Sequence, residues 1–212
     1  MLFYHLIVLD ASGSMGCIRR NALSGCNETI QSIRSLQAKS NGEHRHFLTL
    51  VTFNSTDVAH VVYDRMPIDS VGDLKPEQYV PDACTPLYDA LGRSMTELHR
   101  AIDRSQSYSV LVTVITDGLE NASTEYTADR IRCHVEEYKQ SGWTFAFIGA
   151  NIDEVMEAGK LGIRNSLSFE QTDEGTDRMF KCYRESVENY CCAAPAGLSK
   201  EDRETNFFGF LH

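Results

Sequence analysis

The chain has 212 residues with 30 Asp and Glu against 20 Lys and Arg, giving a formal charge of −10 and a pI near 5.1. A groove that follows nucleic-acid phosphates, or a patch that docks on anionic lipid, needs clustered basic charge, so this balance argues against nucleic acid and membrane as partners. Apolar residues make up 42% and charged residues 24%, the proportions of a soluble globular domain that buries roughly 70% of its unfolded surface.

Residues 3–9 form an apolar run that ends at Asp10. Without a basic leader or a small-residue cleavage site it reads as a mature strand, not a signal peptide. Ile18, Ala22, Cys26, Ile30 and Ile33 then recur at steps of three or four, the period of a helix with one buried face. Two strands follow at 47–53 and 58–63. Only four residues separate them, too few for a crossover helix, so they are expected to form an antiparallel hairpin at a sheet edge. Residues 64–83, polar with three prolines, read as a long surface loop. A second helix is marked by Leu87, Leu91, Met95, Leu98 and Ile102, and a third by Ala128, Ile131, Val135 and Tyr138. Strands at 110–115 and 143–148, the latter opened by a core Trp143, flank that third helix. A weak strand at 166–169 precedes a last helix through Met179, Tyr183, Val187 and Tyr190.

Near-continuous apolar strands alternating with helices predict an α/β fold with a doubly wound, mostly parallel sheet and helices on both faces. One domain is expected over residues 1–190. Residues 191–212 are expected to be a tail, docked or flexible, whose Phe207, Phe208, Phe210 and Leu211 are apolar enough to pack on the domain or onto another chain. Seven cysteines, an odd number without a CxxC pair, read as reduced thiols of a cytoplasmic protein acting as small buried apolar residues. His44 and His46 read as solvent-facing loop residues, and Asp57 with His60 as solvated polar residues of the edge hairpin.

In doubly wound sheets ligands gather at the carboxyl ends of the strands. There the first strand is followed by Asp10-Ala11-Ser12-Gly13-Ser14, the strand ending at Ile115 by Thr116-Asp117-Gly118, and the long loop ends at Thr85-Pro86-Leu87. Every donor in this set is an oxygen, the preference of hard cations such as Mg²⁺, Mn²⁺ or Ca²⁺, whereas zinc and copper favour nitrogen and sulfur. The alternation of Asp10, Ser12 and Ser14 lets three side chains of an extended turn face one point. Two carboxylates against a divalent ion leave the site near neutral, so the metal keeps its affinity for a further carboxylate from outside.

These segments resemble the metal-ion-dependent adhesion site (MIDAS) of von Willebrand factor type A (VWA) domains. Asp-x-Ser-x-Ser after an apolar strand, a Thr opening a later helix and Thr-Asp-Gly after a fourth parallel strand occur in the family's order, and the likeness extends over residues 3–190. The resemblance implies a Rossmann-like six-stranded sheet with one antiparallel edge strand. It also implies Mg²⁺, or Mn²⁺ or Ca²⁺, held by the hydroxyls of Ser12, Ser14 and Thr85, with Asp10 and Asp117 ligating directly or through water. It departs at the residues before the threonine, where bacterial members have glycines and this chain has Ala83 and Cys84.

The expected function is therefore recognition without catalysis: a stand-alone, bacterial-type module that coordinates an Asp or Glu carboxylate of a partner protein through its metal. Loops 64–83 and 119–126 at the same rim would select the partner. The alternative is a metal-assisted hydrolase using the same cation, for which Glu120 is the nearest general base. A haloacid-dehalogenase-like phosphatase needs a second carboxylate where Ser12 stands. A serine hydrolase elbow at Ser14 lacks its first glycine and a histidine on a late loop, and no phosphate-binding glycine loop follows a strand.

Overall fold

The computed structural model describes residues 1–150 and 152–209, with side chains omitted at 152–155. Six strands, β1 (Leu2–Asp10), β2 (Arg45–Phe53), β3 (His60–Pro67), β4 (Tyr108–Thr116), β5 (Thr144–Gly149) and β6 (Asn165–Ser168), form one sheet in the order β3-β2-β1-β4-β5-β6. All neighbours are parallel except β2 and β3, as the sequence predicts. Helices α1 (Arg19–Lys39), α2 (Leu87–Ala101), α3 (Ala128–Gln140), α4 (Ile152–Lys160), α5 (Asp173–Ala193) and α6 (Lys200–Glu204) complete the chain.

The strand order explains the apolar runs. Every residue of β1 is buried: Phe3, Ile7 and Leu9 face the core under α1 and α5, while Leu2, Tyr4, Leu6 and Val8 face the core under α2 and α3. A strand covered on both faces has no solvent side and therefore no polar alternation. On the first face α1 and α5 approach closely at Gly25, where an added Cβ would lie 2.1 Å from the Phe180 ring. Trp143 is buried in the second core.

The edge strand differs in the expected direction. β3 is largely exposed, and its register against β2 shifts on either side of Leu50, an irregularity typical of sheet edges. Asn54 shapes the connecting turn, its Oδ1 accepting from the Thr56 and Asp57 N–H groups at 2.9 Å each. Asp57 and His60 form an exposed pair at 3.1 Å.

Three expectations need correction. The segment 64–83 is not simply a surface loop: β3 runs through Pro67, and Ile68, Val71, Leu74 and Tyr79 are buried against the α1 face. Spaced too irregularly to show a period, these four apolar residues strap the segment to the domain. His46 is buried, because β2 starts two residues earlier than its apolar run and stacks this ring on Phe3 at 4.6 Å. Of the seven unbridged cysteines only Cys26 and Cys191 are buried, whereas Cys17, Cys84, Cys133 and Cys192 are exposed on the rim turns and outer helix faces.

At the C-terminal side, α5 runs past position 190 to Ala193. Phe207 returns to the α1–α5 core, fully buried, with its ring 6.4 Å from Tyr183 and 6.0 Å from Tyr190. Phe210 and Leu211 lie outside the described residues.

Candidate metal centre

The chain runs from β1 to β2 on one side of β1 and later adds β4 on the other, so the winding reverses between β1 and β4. Asp10 ends β1 and Asp117 follows β4 directly. This reversal is where a crevice opens in a doubly wound sheet. Asp10 is fully buried: its Oδ1 accepts from the Ser12 N–H at 2.7 Å and its Oδ2 from the Thr116 hydroxyl at 2.6 Å. Ser14 Oγ lies 3.2 Å from Ser12 Oγ and donates to Asp117 Oδ1 at 2.6 Å. Four of the five predicted residues are thus linked by consecutive hydrogen bonds.

Thr85 joins them through the space at Gly118. A Cβ built on Gly118 would stand 3.4 Å from Thr85 Oγ1 and 3.6 Å from Ser14 Oγ, so the absent side chain leaves a cradle that both hydroxyls border. Thr85 itself is buried and clasped by Asn121, whose Oδ1 accepts from the Thr85 N–H at 2.8 Å and whose N–H donates to the Thr85 carbonyl at 3.1 Å. No side-chain cap bond is made by Ser12 at the 3-10 turn Gly13–Ile18, and α2 has Pro86 in its cap position. Capping the helices therefore does not account for these hydroxyls.

The surrounding framework holds the turn after β1 from three directions. Tyr79 donates its buried hydroxyl to the Asp10 carbonyl at 2.8 Å, Asp82 N–H donates to the Ala11 carbonyl at 2.8 Å, and Gly13 N–H donates to the Ala83 carbonyl at 3.1 Å. Ala83 takes a left-handed φ of +62°, the conformation that glycine adopts without steric penalty. The chain thus keeps, with alanine, the kind of backbone that a glycine-containing loop would provide. On the far side, Asp89 accepts from the Thr124, Glu125 and Tyr126 N–H groups at 2.8, 2.9 and 2.7 Å, fixing the loop that carries Asn121. Gln171, just before α5, donates through Nε2 to Asp117 Oδ2.

Burial is the main force on the Asp10 carboxyl and pushes it up to about 6; bonds from Thr116 and Ser12 oppose the shift, and the charge of Asp117 adds to it. Among the described residues no lysine or arginine pairs with Asp10. A buried carboxylate beside a second carboxylate is a site that a cation would stabilise. With carboxylate and hydroxyl oxygens bordering an open cradle, the donor set fits a hard divalent ion.

Tyr79, Asn121, Asp89 and Gln171 are functional positions that the sequence does not mark, and Thr116 stands in the Thr116-Asp117-Gly118 segment without a role of its own. Thr116 had a local signal, since it directly precedes Asp117 at the end of a strand. The others act from distant positions through partners that spacing does not reveal. Glu120, the nearest candidate base, spends its carboxylate on the Tyr88, Ala122 and Ser123 N–H groups and the Ser123 hydroxyl.

No protein-family model and no curated protein matches the chain. Solved structures do. It is similar to a von Willebrand factor type A protein from Catenulispora acidiphila, at 17% identity and a TM-score of 0.54 over 88% of this chain and 42% of that one. It is also similar to proximal thread matrix protein 1 from the mussel byssus, in a structure with a zinc-occupied MIDAS motif, at 13% identity and a TM-score of 0.54 over 88% and 46%. Manganese-loaded TRAP protein of Plasmodium vivax aligns at 16% identity with a TM-score of 0.50, over 79% of this chain and 68% of that one. The chain spans less than half the length of the first two. At such identities the likeness is one of architecture, and with the sheet order and the β1–β4 crevice it is specific: the chain has the fold of a von Willebrand factor type A domain.

Proposed function

We propose that this rim is a MIDAS-type centre that binds a divalent cation, Mg²⁺ or Mn²⁺, and that the domain recognises a partner protein through it. The Ser12, Ser14 and Thr85 hydroxyls ligate the ion, and Asp10 and Asp117 ligate it directly or through water. When bound, the ion supplies an electrophilic position for a carboxylate of an Asp or Glu on the partner. The observation that carries this reading is the Gly118 cradle, bordered by Thr85 and Ser14 hydroxyls beside the buried Asp10.

Recognition is favoured over hydrolysis by Glu120, whose carboxylate is committed to four donors of its own loop and of α2 and does not serve as a general base. Seven unbridged cysteines support a reducing, cytoplasmic setting. The recognition domain comprises residues 1–190, and the segment after it adds Phe207 to the core.

The test is a thermal melt of wild type and Asp10→Ala in EDTA, Mg²⁺, Mn²⁺ and Ca²⁺, because a ligand that binds only the folded state raises its midpoint. Mg²⁺ or Mn²⁺ is expected to stabilise wild type alone. An equal response in a folded Asp10→Ala protein would rule the centre out, and partner capture that persists in chelator would place recognition elsewhere.

A further inference from the structure

Away from the Asp10 rim, toward the start of β1, a second group of ligating side chains is enclosed by the α1–α5 core. His5 on β1 and His46 on β2 meet with His5 Nε2 3.0 Å from His46 Nδ1, their rings stacked at 5.3 Å with planes 11° apart. Cys191, near the end of α5, closes the group: one ligand atom from each of the three residues lies within 4.8 Å of the others, and all three residues are buried. His5 Nδ1 is buried and has no hydrogen-bond partner among the described residues. Buried polar atoms are ordinarily paired, so this one requires an explanation.

Two imidazoles and a thiol are the wrong donors for the hard ions that suit the rim and the right ones for soft ions. Charge then separates the soft ions. Deprotonated Cys191 carries one negative charge, both imidazoles are neutral, and no carboxylate belongs to the cluster among the described residues. A monovalent ion gives a neutral complex in this interior, whereas Zn²⁺ leaves a net buried charge and lacks the fourth ligand of a closed structural zinc site.

We propose that His5, His46 and Cys191 form a second, buried metal site that takes Cu⁺, separate from the Asp10 rim. On binding, the Cys191 S–H bond breaks, an S–Cu bond forms and the proton leaves to solvent. The proton shared between His5 and His46 stays on its imidazole by moving to the other ring nitrogen where its own nitrogen ligates. No electron is transferred, since copper enters as Cu⁺. Burial holds His5 well below its usual range, keeping that ring in the neutral form that ligates. Because the thiol gives up its proton to form the S–Cu bond, uptake of the ion releases one proton.

The experiment uses the full chain with Cys17, Cys84, Cys133, Cys182 and Cys192 changed to Ser, titrated anaerobically with Cu⁺ against a chromogenic Cu⁺ chelator. One equivalent bound, with one proton released, is expected. Cys191→Ser in the same background loses that equivalent, Asp10→Ala keeps it, and a tenfold excess of Zn²⁺ does not displace it. Uptake unchanged by Cys191→Ser, or displacement by Zn²⁺, overturns the assignment. Should Cys191→Ser fail to fold, copper-edge X-ray absorption on the parent protein decides: one sulfur with two nitrogens supports the site, and any other shell refutes it.

Discussion

Ser14 Oγ donates to Asp117 Oδ1 at 2.6 Å across 103 positions of sequence, tying the turn after β1 to the turn after β4. The bond lies at the partly solvated mouth of the crevice, with Asp10 enclosed beneath it. In the metal-free protein Ser14→Ala removes two side-chain hydrogen bonds at this partly solvated mouth, to Asp117 and to Ser12, and is expected to lower stability by about 1–2 kcal/mol. The same change should remove most of the Mg²⁺-dependent rise in melting temperature, read by parallel melts with metal and with EDTA.

Gly118→Ala separates space from chemistry. The new methyl would sit at ordinary contact distance from Thr85 Oγ1 and Ser14 Oγ, and Gly118 is not among the glycines with positive φ, so folding is expected to survive. Filling the cradle should weaken Mg²⁺ binding by an order of magnitude or more, about 1.4 kcal/mol or greater. Isothermal titration measures it; unchanged affinity would show that the cradle is not where the ion sits.

Ala83→Gly should act in the opposite direction on stability. Relief of a left-handed alanine is worth about 1 kcal/mol, offset in part by the greater backbone entropy of glycine in the unfolded chain. Chemical denaturation is expected to show a small net gain, with the metal response intact.

The buried histidines predict acid lability of the metal-free protein. Burial, with smaller contributions from His44 and the N-terminal amine, lowers His46 to about 4; burial and the charge of His46 hold His5 well below 6.5. The unfolded chain takes up protons near 6.5 that the folded chain refuses, so this stability is present above 6.5 and is lost as pH falls toward 4. The His46 share is about 3 kcal/mol. Denaturation in EDTA from pH 7 to pH 4.5 should show the fall, and His46→Asn should flatten it.

Phe207→Ala is expected to cost about 3–5 kcal/mol, the usual range for emptying a buried aromatic site. Phe208, only partly buried, should matter much less. Comparing the two variants by denaturant midpoint tests whether the C-terminal segment belongs to the core.

The sheet was legible because both of its faces are covered: β1, β4 and β5 carry enough Val, Ile, Leu and Phe to be recognised without their neighbours. The same holds for Asp10, Ser12 and Ser14, which lie on one turn. α4 leaves no legible period because nine residues between two strands give barely two turns of pattern. Ile68, Val71, Leu74 and Tyr79 read as loop in the sequence because their burial depends on α1, over 28 residues away in sequence from any of them. The His5–His46–Cys191 group was invisible for a similar reason: β1 and β2 align in parallel only after folding, and α5 brings the third member from far along the chain.

Phe207 also sets a timetable for synthesis. Because its ring packs against Tyr183 and Tyr190, the α1–α5 core is complete only once the segment that carries Phe207 is available to fold. The turn bearing Asp10 emerges near the beginning and waits for Thr85, Asp117 and Gln171 in succession. Completion of the core and assembly of the rim both wait on residues from late in the chain.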